Sequence, residues 1–159
     1  MNELIFFIPG KPAPGGSKTG FYNKKLNRVM MTPASKKTKP WMQAVAATVR
    51  SEYDGPLLEG PLRLDMQFRI LRPKSHYGTG KNANVIKDRL LLSFPTVKPD
   101  LTKLVRATED ALTGVLFKDD TQVVSGIYSK IYCIRDGGVI ITISSVKCIT
   151  ERVIADGIF

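Results

Sequence analysis

The chain has 159 residues, 43% of them apolar, and its 24 basic residues against 14 acidic ones give a formal net charge of +10. This length and composition predict a single globular domain over residues 1–159 and exclude a membrane span, since no apolar run approaches the roughly 20 residues that one needs. The charge favours a polyanionic partner, of which nucleic acid is the commonest. Cys133 and Cys148 are far in sequence from the only histidine, His76, which favours buried free thiols in a reducing cytoplasm over a zinc site.

Positive charge is concentrated in the first third of the chain. No acidic residue stands between Glu3 and Glu52. A surface that only confers solubility usually intersperses the two signs, so we interpret this segment as facing nucleic acid; a generally solvated basic surface is the alternative. The basic residues of the interval are Lys11, Lys18, Lys24, Lys25, Arg28, Lys36, Lys37, Lys39 and Arg50.

The N-terminal elements are predicted as strand, loop, hairpin and helix. Residues 2–8 are apolar and end at a Pro-Gly pair, which indicates an opening strand. A basic loop rich in proline and glycine follows over about 9–20, and residues 21–32 resemble a hairpin. Helical spacing then predicts a helix from about Ser35 or Thr38 to Tyr53, with Trp41 as a core anchor rather than a base-stacking residue.

The middle of the chain contains a strand and a long basic connection. Residues 62–71 alternate apolar and polar side chains, as a half-buried strand does. Residues 72–98 contain six basic side chains and a single acidic one, Asp88. Connections of this length in a small domain are usually functional or mobile, and we expect an arm that closes on a phosphate backbone, with Lys74 and Lys81 among its DNA contacts.

The last third is predicted to form a helix over residues 100–113, a turn over 114–120, and strands over 122–134 and 139–147 that a turn at 135–138 joins as a hairpin. The fold class is therefore α/β (α+β), a small single domain with a mixed β-sheet packed by two main helices. The apolar stripe expected on the helix consists of Leu101, Leu104, Val105, Thr108, Ala111, Leu112 and Val115.

Acidic residues stand at two ends of these elements. Asp100 begins the helix, where its simplest role is that of an N-cap, and Asp119-Asp120 stand in the turn before a strand, where adjacent acids are usually solvated. If the two ends converge, their carboxylates suit Mg²⁺, which takes one or two of them and completes its shell with water and phosphate oxygens. The basic residues around them, expected to hold DNA, are Lys98, Lys103, Arg106 and Lys118. Helical spacing also places Thr102, Arg106 and Glu109 on one side of the helix. For Arg106, a solvated pair with Asp110 is the alternative.

Two stretches of this region resemble the signature of the RusA-type Holliday-junction resolvases, endodeoxyribonucleases of which many are encoded by phages and prophages. One is Val97-Lys-Pro-Asp100-Leu-Thr102 and onward to Asp110-Ala-Leu; the other is Phe117-Lys-Asp119-Asp120-Thr-Gln-Val-Val. The resemblance covers about residues 97–126, and the rest is similar only in layout and charge.

The resemblance implies a homodimer of mixed α/β subunits that binds a four-way DNA junction and nicks two strands symmetrically with Mg²⁺, for which Mn²⁺ is an expected substitute. It implies Asp100 and Asp120 as catalytic acids and metal ligands, and Arg106 where the family usually has a catalytic lysine. The sequence departs from the family at Thr102, which occupies the position of a second acid. Asp119, Glu109 or Asp110 are candidates to compensate; we expect Asp119, the neighbour of Asp120, as the additional metal ligand.

Three functions follow from these observations. The leading one is a Mg²⁺-dependent resolvase of branched DNA, without a small-molecule cofactor, in the cytoplasm of a bacterium or a phage-infected cell. The second is a structure-specific DNA-binding protein that has lost catalysis, with Thr102 as the lesion. The third, a basic RNA-binding or ribosome-associated protein, explains the charge but not the carboxylates.

Overall fold

The computed structural model describes residues 3–16, 18–33 and 36–147. Within these ranges the chain forms seven strands and two α-helices, and no helix there is long and apolar enough to cross a membrane. In chain order they are β1 (Leu4–Pro9), β2 (Lys18–Asn23), β3 (Arg28–Pro33), α1 (Thr38–Glu52), β4 (Leu62–Leu71), α2 (Leu101–Leu112), β5 (Val123–Ser125), β6 (Tyr128–Cys133) and β7 (Gly138–Ser145).

The main sheet is built on β4. Its alternating pattern places Leu62, Leu64, Met66 and Phe68 in the core. One edge of β4 pairs antiparallel with β7, which pairs antiparallel with β1, and the other edge pairs parallel with β5 and β6. Buried residues of α1 and α2 belong to the same core as those of the strands. The predicted α+β class, with a mixed sheet and two helices, is confirmed.

The predicted hairpin at residues 135–138 is wrong. β6 and β7 are consecutive in sequence but do not pair with each other, because each pairs with a different edge of β4. The segment between them crosses the end of β4 instead. Gly137 lies there against Leu71 and the carbonyl of Arg69, and its own carbonyl accepts a hydrogen bond from the Gly10 amide at 2.9 Å.

The predicted strand over residues 122–134 is interrupted. β5 ends at Ser125 and β6 begins at Tyr128. Gly126 lies so close to β4 that a Cβ there would be 2.2 Å from the carbonyl oxygen of Leu64. At the next residue the amide of Ile127 donates to the carboxylate of Asp65 at 2.7 Å. The Asp65 side chain accepts the Ile127 amide hydrogen bond that a backbone carbonyl would accept in a regular ladder. This explains the break between β5 and β6.

The hairpin of β2 and β3 forms a separate two-stranded sheet, as predicted from residues 21–32. The side chain of Asn23 accepts bonds from the amides of Lys25 and Leu26 and shapes the turn. Asn27 adopts a positive φ of 47°, a conformation that asparagine tolerates.

The basic connection after β4 contains three short 3₁₀ turns, Lys74–His76, Gly80–Asn82 and Asp88–Leu90. Arg72 ties its last part down: Nη1 donates to the carbonyl of Leu90 at 2.6 Å and to Oγ of Ser93 at 3.2 Å. The guanidinium also stacks over the ring of Tyr132, 4.9 Å from its centre. The connection is therefore attached to the sheet at this point.

Candidate active site

The candidate site is built on α2, whose predicted apolar stripe is buried except at its two ends: Leu101 is partly buried, and Val115, also partly buried, lies beyond the end of the helix. Leu104, Thr108 and Leu112 are fully buried, and Ala107, absent from the predicted stripe, is buried as well. On the outer side, Thr102, Arg106 and Glu109 line one cavity with Tyr128 of β6. Residues spaced by three and four share one face of a helix, and this spacing predicted the group.

Asp100 stands at the N-cap position of α2 with extended backbone angles, but its side chain makes no cap hydrogen bond. It forms an ion pair with Lys103 instead, with Oδ2 and Nζ 3.1 Å apart. Both side chains are about half exposed, so this pair alone contributes little stability. The carboxylate of Asp100 is accessible at the start of the helix.

Asp119 is held by hydrogen bonds within the turn before β5. Oδ1 of Asp119 accepts bonds from the amide and the hydroxyl of Thr121, and Gln122 completes a capping box by accepting from the amide of Asp119. The bonds from Thr121 lower the pKa of Asp119. Asp119 lines a groove with Leu57, Glu59 and Gly60, residues that precede β4.

Glu109 of α2 is a second acid whose surroundings include Asp120. Its side chain is half-buried, and burial raises its pKa; the negative charges of Asp120 and then Asp110 raise it further. A carboxyl with a raised pKa beside other acids is typical of a functional site. Both Glu109 and Asp119 therefore interact with Asp120, and Asp119 stays a candidate ligand beside Glu109.

A glycine-rich loop packs against the middle of α2. The amide of Gly15 donates to the carbonyl of Lys103 at 2.8 Å. A Cβ on Gly15 would be 2.9 Å from Cβ of Ala107, and one on Gly16, where φ is +79°, would be 3.1 Å from Cδ of Arg106. Only glycine permits this approach. The loop thus borders the side chain of Arg106, which forms no ion pair with Asp110 among those found in the described ranges.

Tyr128 and Asp65 are two site neighbours that the sequence analysis missed. The pKa of the Tyr128 phenol is raised by burial and by the charges of Glu109 and Asp65. Asp65 forms an ion pair with Arg63 at 3.0 Å in addition to its bond to Ile127. The only sequence signal was a single acid in the polar face of β4, and the pairing of β4 with β6 decides what it meets.

The basic residues expected to contact DNA stand on several different elements. Lys98, Lys103 and Lys118 flank the acids in sequence, whereas Lys74 and Lys81 stand on the 3₁₀ turns of the connection; all five are exposed. The sequence analysis did not single out Lys130. It is half-buried on β6, and its ammonium donates to the carbonyls of Val97 and Pro99 at 2.9 and 3.0 Å.

The acids suit a magnesium ion with few protein ligands. No group of three or more His, Cys, Asp or Glu residues that could enclose a metal is found among the residues described. Mg²⁺ requires only one or two carboxylates, since it retains water and binds phosphate oxygens. Asp120 and Glu109 are two such carboxylates, and the charge of Asp120 acts on Glu109.

Comparison with known proteins gives two results. The family model "Endodeoxyribonuclease RusA" matches residues 9–144. A protein of Bacillus subtilis (strain 168), "Uncharacterized protein YqaN", is 32% identical over 133 residues, which is 83% of this chain and 89% of that protein. The family match includes α2, the Asp119-Asp120 turn and the glycine-rich loop, and it extends well beyond the stretch in which the signature residues stand. The chain belongs to the RusA family of endodeoxyribonucleases.

Proposed function

We propose that this protein is a Mg²⁺-dependent endodeoxyribonuclease that resolves four-way DNA junctions by paired nicks. What supports the proposal is that Glu109 and Arg106 line one cavity and that the charge of Asp120 acts on Glu109, in a chain of the RusA family. Acids that hold a cation, next to basic groups that hold a phosphate, are what phosphodiester hydrolysis requires.

One or two of the acids Asp100, Asp120 and Glu109 would hold the ion, since no group of three in the described residues could enclose it. When bound, Mg²⁺ supplies polarisation of the scissile phosphate and activation of a water molecule. We propose that Glu109 provides the negative charge that Thr102 lacks, because it lines the same cavity as Thr102. Asp119, which is engaged with Thr121, is the other candidate.

The remaining side chains bind and orient the substrate. Arg106 offers a planar set of donors to the phosphate oxygens and stabilises the charge that develops there. The loop at Gly15 and Gly16 restricts the space in which Arg106 can move. Thr102 offers a neutral hydroxyl to water in the same cavity. The exposed lysines neutralise the DNA backbone and position it without selecting a sequence.

The resemblance to the family supports a homodimer as the active form. Two-fold symmetry in the protein would match that of a four-way junction and would place one active site on each of two opposed strands. We place the reaction in the cytoplasm of a bacterial or phage-infected cell, where recombination and phage DNA processing produce branched DNA.

A binding protein without catalysis is the second candidate, and Thr102 is the observation that favours it. A neutral residue at an acidic position of the family removes one charged ligand. Such a protein would retain the basic surface and bind the junction equally well. It would not cut the junction with any divalent ion.

The deciding experiment is cleavage of an end-labelled synthetic four-way junction with Mg²⁺ and with EDTA, by the wild type and by Asp120→Asn. We expect paired symmetric nicks that require Mg²⁺ and disappear in the variant, while the variant still binds the junction. Tight binding without cutting in any divalent metal would establish the binding protein. Equal binding of junction and linear duplex would contradict both functions.

A further inference from the structure

Lys130 connects the sheet to the segment that leads into the active site. Its ammonium donates to the carbonyls of Val97 and Pro99 at 2.9 and 3.0 Å, three residues and one residue before Asp100. The ion pairs found within the described ranges do not include Lys130. Two of its three donors are therefore occupied by neutral backbone oxygens.

The two ends of this link differ in rigidity. The backbone of Lys130 is held within β6, opposite Phe68 of β4 in parallel register, and Phe68 is fully buried. Residues 91–100, in contrast, form neither helix nor strand. A segment without a ladder of its own takes its geometry from such tertiary bonds. Lys130 thus attaches the residues before Asp100 to the rigid backbone of β6.

Burial argues against a purely electrostatic role. Placing an ammonium in a half-buried position costs hydration, which its two carbonyl bonds offset. A lysine that served only to attract phosphate would be better exposed, as Lys98 and Lys118 are. The bonds are directed at the backbone, where they restrict the path of the chain into α2.

We propose that Lys130 is a positioning residue for Asp100: it fixes the backbone of residues 97–99 against β6 and so holds the Asp100 carboxylate at the start of α2 in the active geometry. The inference rests on the proposed nuclease function. Groups that orient an active-site ligand typically alter activity by about 10- to 100-fold when they are removed.

The test uses the full chain with Lys130→Met, which keeps the length of the side chain and removes its donors, and Lys130→Arg, which retains them. Lys147→Met is the matched control, since it removes an exposed lysine just beyond β7. Single-turnover cleavage of the four-way junction is measured at saturating protein. Junction affinity is measured in EDTA, and backbone hydrogen exchange is followed in peptides covering residues 96–104.

We expect Lys130→Met to cleave about 10- to 100-fold more slowly, with junction affinity that matches the Lys147→Met control and faster exchange in residues 96–104. Lys130→Arg should recover a large part of the rate. Unchanged exchange in Lys130→Met would overturn the link to the backbone. A loss of junction affinity with an unchanged rate at saturation would show a DNA-contacting lysine and overturn positioning.

The two proposals fail in distinguishable ways. A wild-type protein that cuts nothing contradicts the nuclease function and with it the catalytic role of Lys130, whatever the exchange data show. A wild type that cuts normally, together with a Lys130→Met variant that cuts at the same rate, contradicts the positioning role alone.

Discussion

The indole nitrogen of Trp41 donates a hydrogen bond to the hydroxyl of Thr108, 3.2 Å away, inside the core. The same hydroxyl donates to the carbonyl of Leu104 at 3.0 Å. Trp41 is on α1 and Thr108 on α2, so the bond joins the two helices at the level of Arg106 and Glu109. The face of α2 that forms the candidate site is therefore fixed from behind by a polar contact in an otherwise apolar core.

Replacing Thr108 by valine should reduce stability by about 1–3 kcal/mol, because the change keeps the shape and leaves the indole N–H buried without a partner. Urea unfolding of the purified chain measures this free energy. Thr113→Val is the matched control: its hydroxyl also bonds a carbonyl of α2, that of Glu109, but it is exposed, and we expect a change within about 0.5 kcal/mol. Equal effects of the two substitutions would contradict the role of the Trp41 bond.

Glu109→Gln should increase stability at neutral pH when no divalent ion is present. The pKa of Glu109 is higher in the folded chain than its ordinary value of 4.5, chiefly because of burial. The folded state therefore binds a proton at Glu109 more tightly than the unfolded state does. The contribution of this group to stability is fully present at pH values below its ordinary pKa and is lost as the pH rises through the folded pKa. Glutamine resembles the protonated acid, so thermal unfolding in EDTA should favour the variant at about pH 7.5 and show no difference at about pH 4. A variant that is less stable at neutral pH would contradict the burial of the charge.

Addition of Mg²⁺ should reverse the order of stability of the wild type and Glu109→Gln, so that the wild type becomes the more stable protein. An ion that binds only the folded state stabilises it in proportion to its affinity, and Glu109 is one of its proposed ligands. The unfolding temperature of the wild type should rise with Mg²⁺, and that of Glu109→Gln should rise less. Asp119→Asn distinguishes the two candidate acids, since asparagine keeps the oxygen that accepts from Thr121. If the Mg²⁺ response is lost in Asp119→Asn and kept in Glu109→Gln, then Asp119 and not Glu109 is the ligand.

Arg106→Met should slow junction cleavage by about 10²- to 10³-fold, the usual effect of removing one donor that stabilises transition-state charge. Arg106→Lys keeps the charge and loses the planar set of donors, so its rate should fall between those of the wild type and the methionine variant. Single-turnover rates at saturating protein measure this effect apart from binding. A rate for Arg106→Met equal to that of the wild type would remove Arg106 from the active site.

A double variant, Lys74→Met with Lys81→Met, tests whether the basic connection contacts DNA. Both lysines are exposed on 3₁₀ turns of the connection. If each neutralises one duplex phosphate, the slope of log affinity against log salt should decrease in magnitude by about 1.8. Junction binding across a salt titration gives the slope. A parallel shift without a change of slope would indicate that the connection does not meet the phosphate backbone.

Local sequence patterns predicted the elements that have a clear period. The alternation of residues 62–71 predicted β4, and the spacing along α2 predicted the shared face of Thr102, Arg106 and Glu109. The buried side of a helix or a strand can be recognised from residues that are near one another in sequence. For β4 and α2, contacts between distant segments were therefore not needed for the prediction.

The errors concern contacts between distant segments. Nothing between residues 122 and 147 indicates that β6 and β7 are separated by β4, because the Arg-Asp-Gly-Gly turn looks the same whether or not its flanks pair. Which of Asp119 and Glu109 compensates for Thr102 stays a prediction, since adjacency in sequence does not state which side of a turn an acid faces. Lys130 had no local signal either: its partners are about thirty residues away.

The central place of β4 has a consequence for synthesis of the protein. Every strand that pairs with β4 follows α2 in the chain, so β4 leaves the ribosome with both edges unpaired and its apolar side chains without their final neighbours. Unpaired apolar strands of this kind are prone to aggregation, and sheet formation that waits for distant strands is slow. A chain cut short before Ser145 should therefore accumulate in the insoluble fraction, and chaperones that shield apolar segments should raise the yield of the full chain.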